Sequence, residues 1–184
     1  MTIFGEVPAG EALRRDGAQA GDSIWVSGAP GRAGQGLAFL EGKLALDEPA
    51  RSECLAALHR PQPRLELGLG LRGLASAAID VSDGLLADLG HILERSGVAA
   101  EITYAVPPAP TFTRETWLAG GDDYELLFTC SAERDAAVMA LGERLGLPLH
   151  RIGHIEAAPA GELRVRDTAG RDITPARRGF DHFG

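Results

Sequence analysis

The stretch Ala77–Ala78–Ile79–Asp80–Val81–Ser82–Asp83–Gly84–Leu85–Leu86 constrains this chain more than any other. It reads as a short buried strand, then two carboxylates flanking a serine, then a glycine that opens a helix. From Gly84 to Arg95 the apolar residues Leu85, Leu86, Leu89, Ile92 and Leu93 share one face of a helical period, which sets Asp88, His91 and Arg95 on the other. A turn between a strand end and a helix start offers free backbone N–H groups and the positive end of the helix dipole, a combination that favours phosphate. Two carboxylates there would repel a bare phosphate. A hard cation such as Mg²⁺, held by carboxylates and phosphate oxygens together, reconciles the two demands. The plainer alternative is capping, since Asp and Ser are ordinary N-caps worth about 1 kcal/mol each. Asp80 does not fit that alternative, because a residue at a strand end caps nothing.

Composition narrows the function classes. Glycine supplies 24 of the 184 residues, about twice the usual ~7%, as expected of a chain with many tight turns and close backbone approaches. The net charge of −8 argues against a general nucleic-acid binder. Lys43 is the only lysine and precedes Leu44, so no Walker-type Lys-Ser/Thr loop exists. Cys54 and Cys130 lack a paired spacing and read as small core residues of a reducing compartment. His-Glu-x-x-His and Gly-x-Ser-x-Gly motifs are absent, as are a basic-plus-apolar leader and an apolar run of bilayer length. The expected setting is cytoplasmic, with no membrane and no nucleic-acid partner.

Along the chain, Met1–Gly5 reads as a strand that begins abruptly. Ser23–Ser27 reads as a buried strand and Gly34–Gly42 as a helix. Asp47–His59 reads as a second helix, with Asp47 as cap and Pro49 in the first turn, and 64–73 as a third, weakened by Gly68 and Gly70. Further strands are expected at Glu101–Tyr104, Tyr124–Thr129, Leu149–Ile155 and Glu162–Arg166. A helix over Ala132–Leu145 would turn Ala137, Val138, Leu141 and Leu145 inward. Val106–Pro110 is a loop, after which Trp117 and Leu118 return to the core. Strands interleaved with helices predict an α/β or α+β layered domain.

A second acidic turn, Gly120–Gly121–Asp122–Asp123–Tyr124–Glu125, precedes the strong Leu126–Phe128 strand. Paired glycines let backbone approach a ligand, and the acids could bind a cation or substrate; a solvated turn is the alternative. Arg14–Arg15 could clamp phosphate or be an ordinary surface pair. The tail Gly179–Phe180–Asp181–His182–Phe183 is either a hydrophobic anchor or a stacking surface for a flat ligand. His59, His91, His150 and His154 show no ligand-like spacing.

Together, Asp80–Val81–Ser82–Asp83–Gly84–Leu85, Gly120–Gly121–Asp122–Asp123–Tyr124–Glu125–Leu126 and the closing Gly179–Phe183 tail resemble the thiamine-monophosphate kinases, relatives of aminoimidazole ribonucleotide synthetase and selenophosphate synthetase. Gly5–Glu6–Val7–Pro8, Ala12–Ala18 and Gly21–Asp22 are similar to that family's domain junction. The resemblance implies an aminoimidazole ribonucleotide synthetase C-terminal-domain-like fold, a mixed sheet with helices packed on it. Residues 1–20 would be the last strand and linker of an N-terminal ATP-binding domain, and 21–184 the C-terminal kinase domain. It further implies that Asp80 and Asp83 hold Mg²⁺, that Arg15 and Ser82 contact ATP, and that Asp122 contacts thiamine monophosphate, with Asp123 beside it. Phe180 would face the substrate rings, with Phe183 as the nearby alternative; a thiazolium ring is a flat cation and suits an aromatic face. The intact enzyme would be a homodimer converting thiamine monophosphate to thiamine diphosphate, and this chain alone would be inactive. Two features depart from the family pattern: Asp122 stands where Glu is frequent, and the 105–118 loop is short. Selenophosphate synthesis and a non-catalytic assembly role are the competing readings.

Overall fold

A computed structural model describes residues 5–105, 113–176 and 179. The expectations for Met1–Gly5, Val106–Pro110, Phe180 and Phe183 therefore fall wholly or largely outside the described residues. The elements run β1 (Asp22–Ser27), α1 (Arg32–Leu40), α2 (Ala50–His59), α3 (Leu65–Gly70), β2 (Ala77–Val81), α4 (Leu85–Ser96), β3 (Ala99–Tyr104), α5 (Arg114–Ala119), β4 (Glu125–Ser131), α6 (Asp135–Leu145), β5 (Leu149–Glu156) and β6 (Leu163–Asp167). They form one mixed six-stranded sheet in the order β2-β4-β1-β5-β3-β6. Every pairing is antiparallel except β3 with β6. The expected layered α+β architecture with helices on a mixed sheet is what the chain adopts.

The two faces of the sheet follow from strand alternation. Ile24, Val26, Ile79, Val81 and Leu127 point to one side and pack under the apolar stripe of α4, with Trp117 and Leu118 of α5 alongside. Trp25, Ala78, Phe128 and Cys130 point to the other, beneath Leu67 and Leu71 of the α3 region and Val138 and Leu141 of α6. Central β1 is buried along its whole length, as a strand covered on both faces must be. Gly153 of β5 is required by packing, because a Cβ there would lie 2.1 Å from the Glu101 carbonyl oxygen on β3.

Three helix details differ from the sequence reading. The α2 helix starts at Ala50, and Glu48 rather than Asp47 supplies the local carboxylate, accepting the Ser52 amide and pairing with Arg51. Ala137 is exposed, since Val138, Leu141 and Gly142 form the buried stripe of α6. A short α5 covers Trp117 and Leu118, started by Thr113, whose hydroxyl accepts the Thr116 amide.

Two long-range carboxylates hold elements together. Asp123, from the second acidic turn, accepts the amides of Gly31 (2.5 Å) and Ala33 (3.0 Å) and so caps α1, which has no cap of its own. Glu125, 6% exposed, receives two hydrogen bonds from Arg64 (2.7 and 2.6 Å) and one from the Ser27 hydroxyl (2.6 Å). That joins the start of α3 to β4 and β1. Gly28 makes room for it: a Cβ there would sit 1.8 Å from Glu125 Oε1.

Removing one member of a buried ion pair leaves the other charge uncompensated. Arg64→Ala is therefore expected to destabilise by about 3 kcal/mol, the low end of the usual range because Arg64 keeps part of its side chain in water, and Arg64→Ala/Glu125→Gln to recover much of it. Urea unfolding midpoints check both. Burial pushes the Asp123 carboxyl up to about 7, against the two amides that pull it down. The folded chain then holds a proton that the unfolded chain releases near the ordinary value of 3.8. Stability contributed at this site is full below that value and is lost as pH rises through about 7. The stability difference between the wild type and Asp123→Asn should shrink across this window and then level off, as measured by chemical denaturation at several pH values.

Candidate functional site: two acidic turns on one cavity

The antiparallel pairing of β2 with β4 places Val81 opposite Glu125, so the exit from β2 and the entry to β4 lie at the same end of the sheet. The two acidic turns leave from there side by side. Backbone hydrogen bonds join them: the Asp122 amide donates to the Ser82 carbonyl (2.9 Å) and the Tyr124 amide to the Val81 carbonyl (2.8 Å). Glycine makes the approach feasible. A Cβ on Gly121 would lie 2.5 Å from the Ser82 carbonyl oxygen, and Gly84 adopts φ 122° with Ala119 against it. Asp122 (φ 65°) and Tyr124 (φ 52°) are held in the left-handed region, which is uncommon for residues with a Cβ and concentrates at functional sites.

Ser82, Asp83, Gly121 and Asp122 share a cavity of about 730 Å³ whose far walls are α1 and α5. Gly179, immediately before Phe180, also lines it. Asp80 lies elsewhere. Strand alternation turns it away from Ile79 and Val81 into a neighbouring groove of about 730 Å³ with Arg64, Leu65, Leu69 and Tyr124. Thus three of the residues expected at the site converge on one cavity, while Asp80 flanks it from the opposite side of the same strand end. Asp123 does not line the cavity; its carboxylate is engaged with α1. Arg15 is exposed and lines neither space, its carbonyl accepting the Ser96 hydroxyl.

One expectation is corrected outright. Asp88, which the helical period sets on the polar face, is only 2% exposed. Its Oδ2 accepts the amides of Ser82 (2.9 Å), Asp83 (3.1 Å) and Gly84 (3.2 Å). The N–H groups that sequence reading takes as free for phosphate are therefore occupied from within the helix. Burial pushes the Asp88 carboxyl above its ordinary value, opposed by these three amides. The available signal was an acid four residues beyond the glycine, one position past an ordinary capping box. Asp83, Asp88 and His91 also bring one ligand atom each within 4.8 Å of one another, a proximity that histidine spacing alone did not reveal.

Residues 19–166, spanning both turns, match the family described as AIR synthase related protein, C-terminal domain. Thiamine-monophosphate kinase of Salmonella typhimurium is 43% identical over the whole chain, and that of Synechococcus elongatus 35% identical. The chain spans 59% and 58% of these two relatives. The crystal structure of thiamine-monophosphate kinase from Stenotrophomonas maltophilia K279a superposes with TM-score 0.76 at 45% identity, covering 86% of this chain and 54% of that one. AaThiL complexed with AMPPCP and TMP superposes with TM-score 0.71 at 31% identity, covering 93% and 54%. By this match over most of its length the chain belongs to the family of AIR synthase related proteins, C-terminal domain.

Proposed function

We propose that this chain is the C-terminal portion of a thiamine-monophosphate kinase that transfers the γ-phosphoryl group of ATP to thiamine monophosphate. The observation that carries this reading is the convergence of Ser82, Asp83 and Asp122 on one cavity, at two turns joined backbone to backbone. Two relatives named for this activity and a solved complex with AMPPCP and TMP support it.

The acceptor would be a phosphate oxygen, already ionised at neutral pH, so the reaction needs no general base. Bringing two anions together is the chief obstacle, and catalysis rests on positioning and charge neutralisation. The donor set suits Mg²⁺: carboxylate oxygens at the turns, where the amides of Ser82, Asp83 and Gly84 are already taken by Asp88. When bound, Mg²⁺ supplies neutralisation of the phosphate oxygens. Asp83 would hold one such ion at the cavity, and Asp80, in the neighbouring groove, a separate one. Ser82 would orient the nucleotide phosphates; Arg15, held against Ser96 at the far end of α4, does not reach them within this chain. Asp122, fixed by its backbone bond to Ser82, would contact thiamine monophosphate, while Asp123 supports that turn through α1. Phe180 and Phe183 would meet the thiamine rings beyond Gly179. An N-terminal ATP-binding domain and a homodimer would complete the enzyme, working in the cytoplasm. Among the described residues no helix is long and apolar enough to cross a membrane.

The test is thiamine diphosphate formation by the full-length protein from ATP, Mg²⁺ and thiamine monophosphate. Asp83→Asn is expected to lower kcat at least about 100-fold, as loss of a charge-stabilising group in phosphoryl transfer does. Asp122→Asn should act mainly on KM for thiamine monophosphate. Unchanged turnover by Asp83→Asn, or product formation only with selenide as acceptor, overturns the assignment. The isolated chain should form no thiamine diphosphate.

A further inference from the structure

The kinase reading uses Asp83 but not the two metal-ligating side chains beside it. Asp88 and His91 stand three positions apart on α4, the spacing at which a helix carboxylate and an imidazole meet one metal ion. Asp83 joins them from the turn before the helix: one ligand atom from each of the three lies within 4.8 Å of the others. Ligand atoms on a single Zn²⁺ are at most roughly 4 Å apart, because each bond is about 2.1 Å long. His91 is exposed, and rotation of its side chain closes the difference. Gly90, between Asp88 and His91, leaves open space where a Cβ would stand.

The buried member of the set is oriented in advance. Asp88 is 2% exposed, and the amides of Ser82, Asp83 and Gly84 that donate to it all end on Oδ2. Among the described residues Oδ1 accepts no hydrogen bond, and a buried carboxylate oxygen without a donor is costly unless something else meets it. Hydrogen bonds such as those on Oδ2 fix a ligand's orientation before a metal arrives. The His91 imidazole has no hydrogen-bond or ion-pair partner among the described residues. One imidazole nitrogen with two carboxylates is a donor set for Zn²⁺, Co²⁺ or Ni²⁺, whereas Mg²⁺ takes oxygen ligands. Three protein ligands leave a position for water, as in sites where the ion exchanges ligands.

We propose that Asp83, Asp88 and His91 form a site for one transition-metal dication, and that its occupation competes with Mg²⁺ for Asp83. Binding at these three residues is independent of the kinase reading, whereas the competition rests on it. Asp83 also lines the cavity, so an ion drawn toward His91 takes an oxygen from the cavity Mg²⁺, and turnover falls.

Co²⁺ is titrated into the chain with Mg²⁺ in large excess, and its visible absorption is followed. The wild type should take up one equivalent with a visible band, and Zn²⁺ should displace it. His91→Ala and Asp83→Asn should each need at least about tenfold more Co²⁺. No uptake by the wild type, release by Mg²⁺ as readily as by Zn²⁺, or wild-type affinity in either variant overturns the site. Should His91→Ala not fold, NMR of the wild type decides. Zn²⁺ should shift the ring resonances of His91 and leave those of His59, His150 and His154 in place; an unmoved His91 ring overturns the site.

In the full-length protein, Zn²⁺ at saturating Mg²⁺ should inhibit thiamine diphosphate formation, at a concentration roughly tenfold lower in the wild type than in His91→Ala. Co²⁺ uptake without inhibition by Zn²⁺ overturns the competition for Asp83. Failure of the kinase reading looks different: a full-length protein that forms no thiamine diphosphate with any metal, while the chain takes up Co²⁺ through His91, refutes that reading and leaves the metal site standing.

Discussion

Two backbone hydrogen bonds, Asp122 N–H to the Ser82 carbonyl and Tyr124 N–H to the Val81 carbonyl, are the interactions on which the site depends. They continue the β2–β4 ladder past the end of the sheet and fuse two loops that are forty residues apart in sequence into one surface. Such an approach leaves no space for side chains between the loops, which is why glycine stands at 84 and 121. It also forces Asp122 and Tyr124 into left-handed backbone, a cost that the surrounding ladder and the α1 cap sustain.

The acids of these turns divide by direction. Asp88 holds the turn amides of Ser82, Asp83 and Gly84 and Asp123 the start of α1; Asp83 and Asp122 line the cavity; Glu125 is neutralised by Arg64. A chain of net charge −8 thus divides its site acids between backbone amides, an arginine partner and the lining of the cavity. The inward acids are the ones whose carboxyls burial pushes upward, since withdrawal from water disfavours their charged form despite the amides they receive. Arg64 of the Arg64–Glu125 pair lines the groove that contains Asp80.

The local elements were legible where their cause is local. The α4 stripe, expected from Gly84 to Arg95, is observed from Leu85 to Ser96 and ends at Gly97 in left-handed geometry. The Leu126–Phe128 run marked an interior strand because both its faces are covered. Where the cause is distant, the sequence reading erred. The start of α1 at Arg32, two residues before the expected Gly34, depends on a cap from Asp123. Asp88 was placed on a solvent face by its angular position, which describes an isolated helix and not one whose first turn folds back on a loop.

The amino-acid sequence by itself determined the periodicities, the turn glycines and the presence of two acidic motifs, because each depends on residues within a few positions of one another. Only the tertiary structure decided which carboxylates face the cavity, which close helix ends, and that Asp80 and Asp83 lie on opposite sides of one strand end. The physical reason is that an aspartate is equally a cap, a ligand or a solvated charge until the fold brings, or fails to bring, a backbone amide within reach of it.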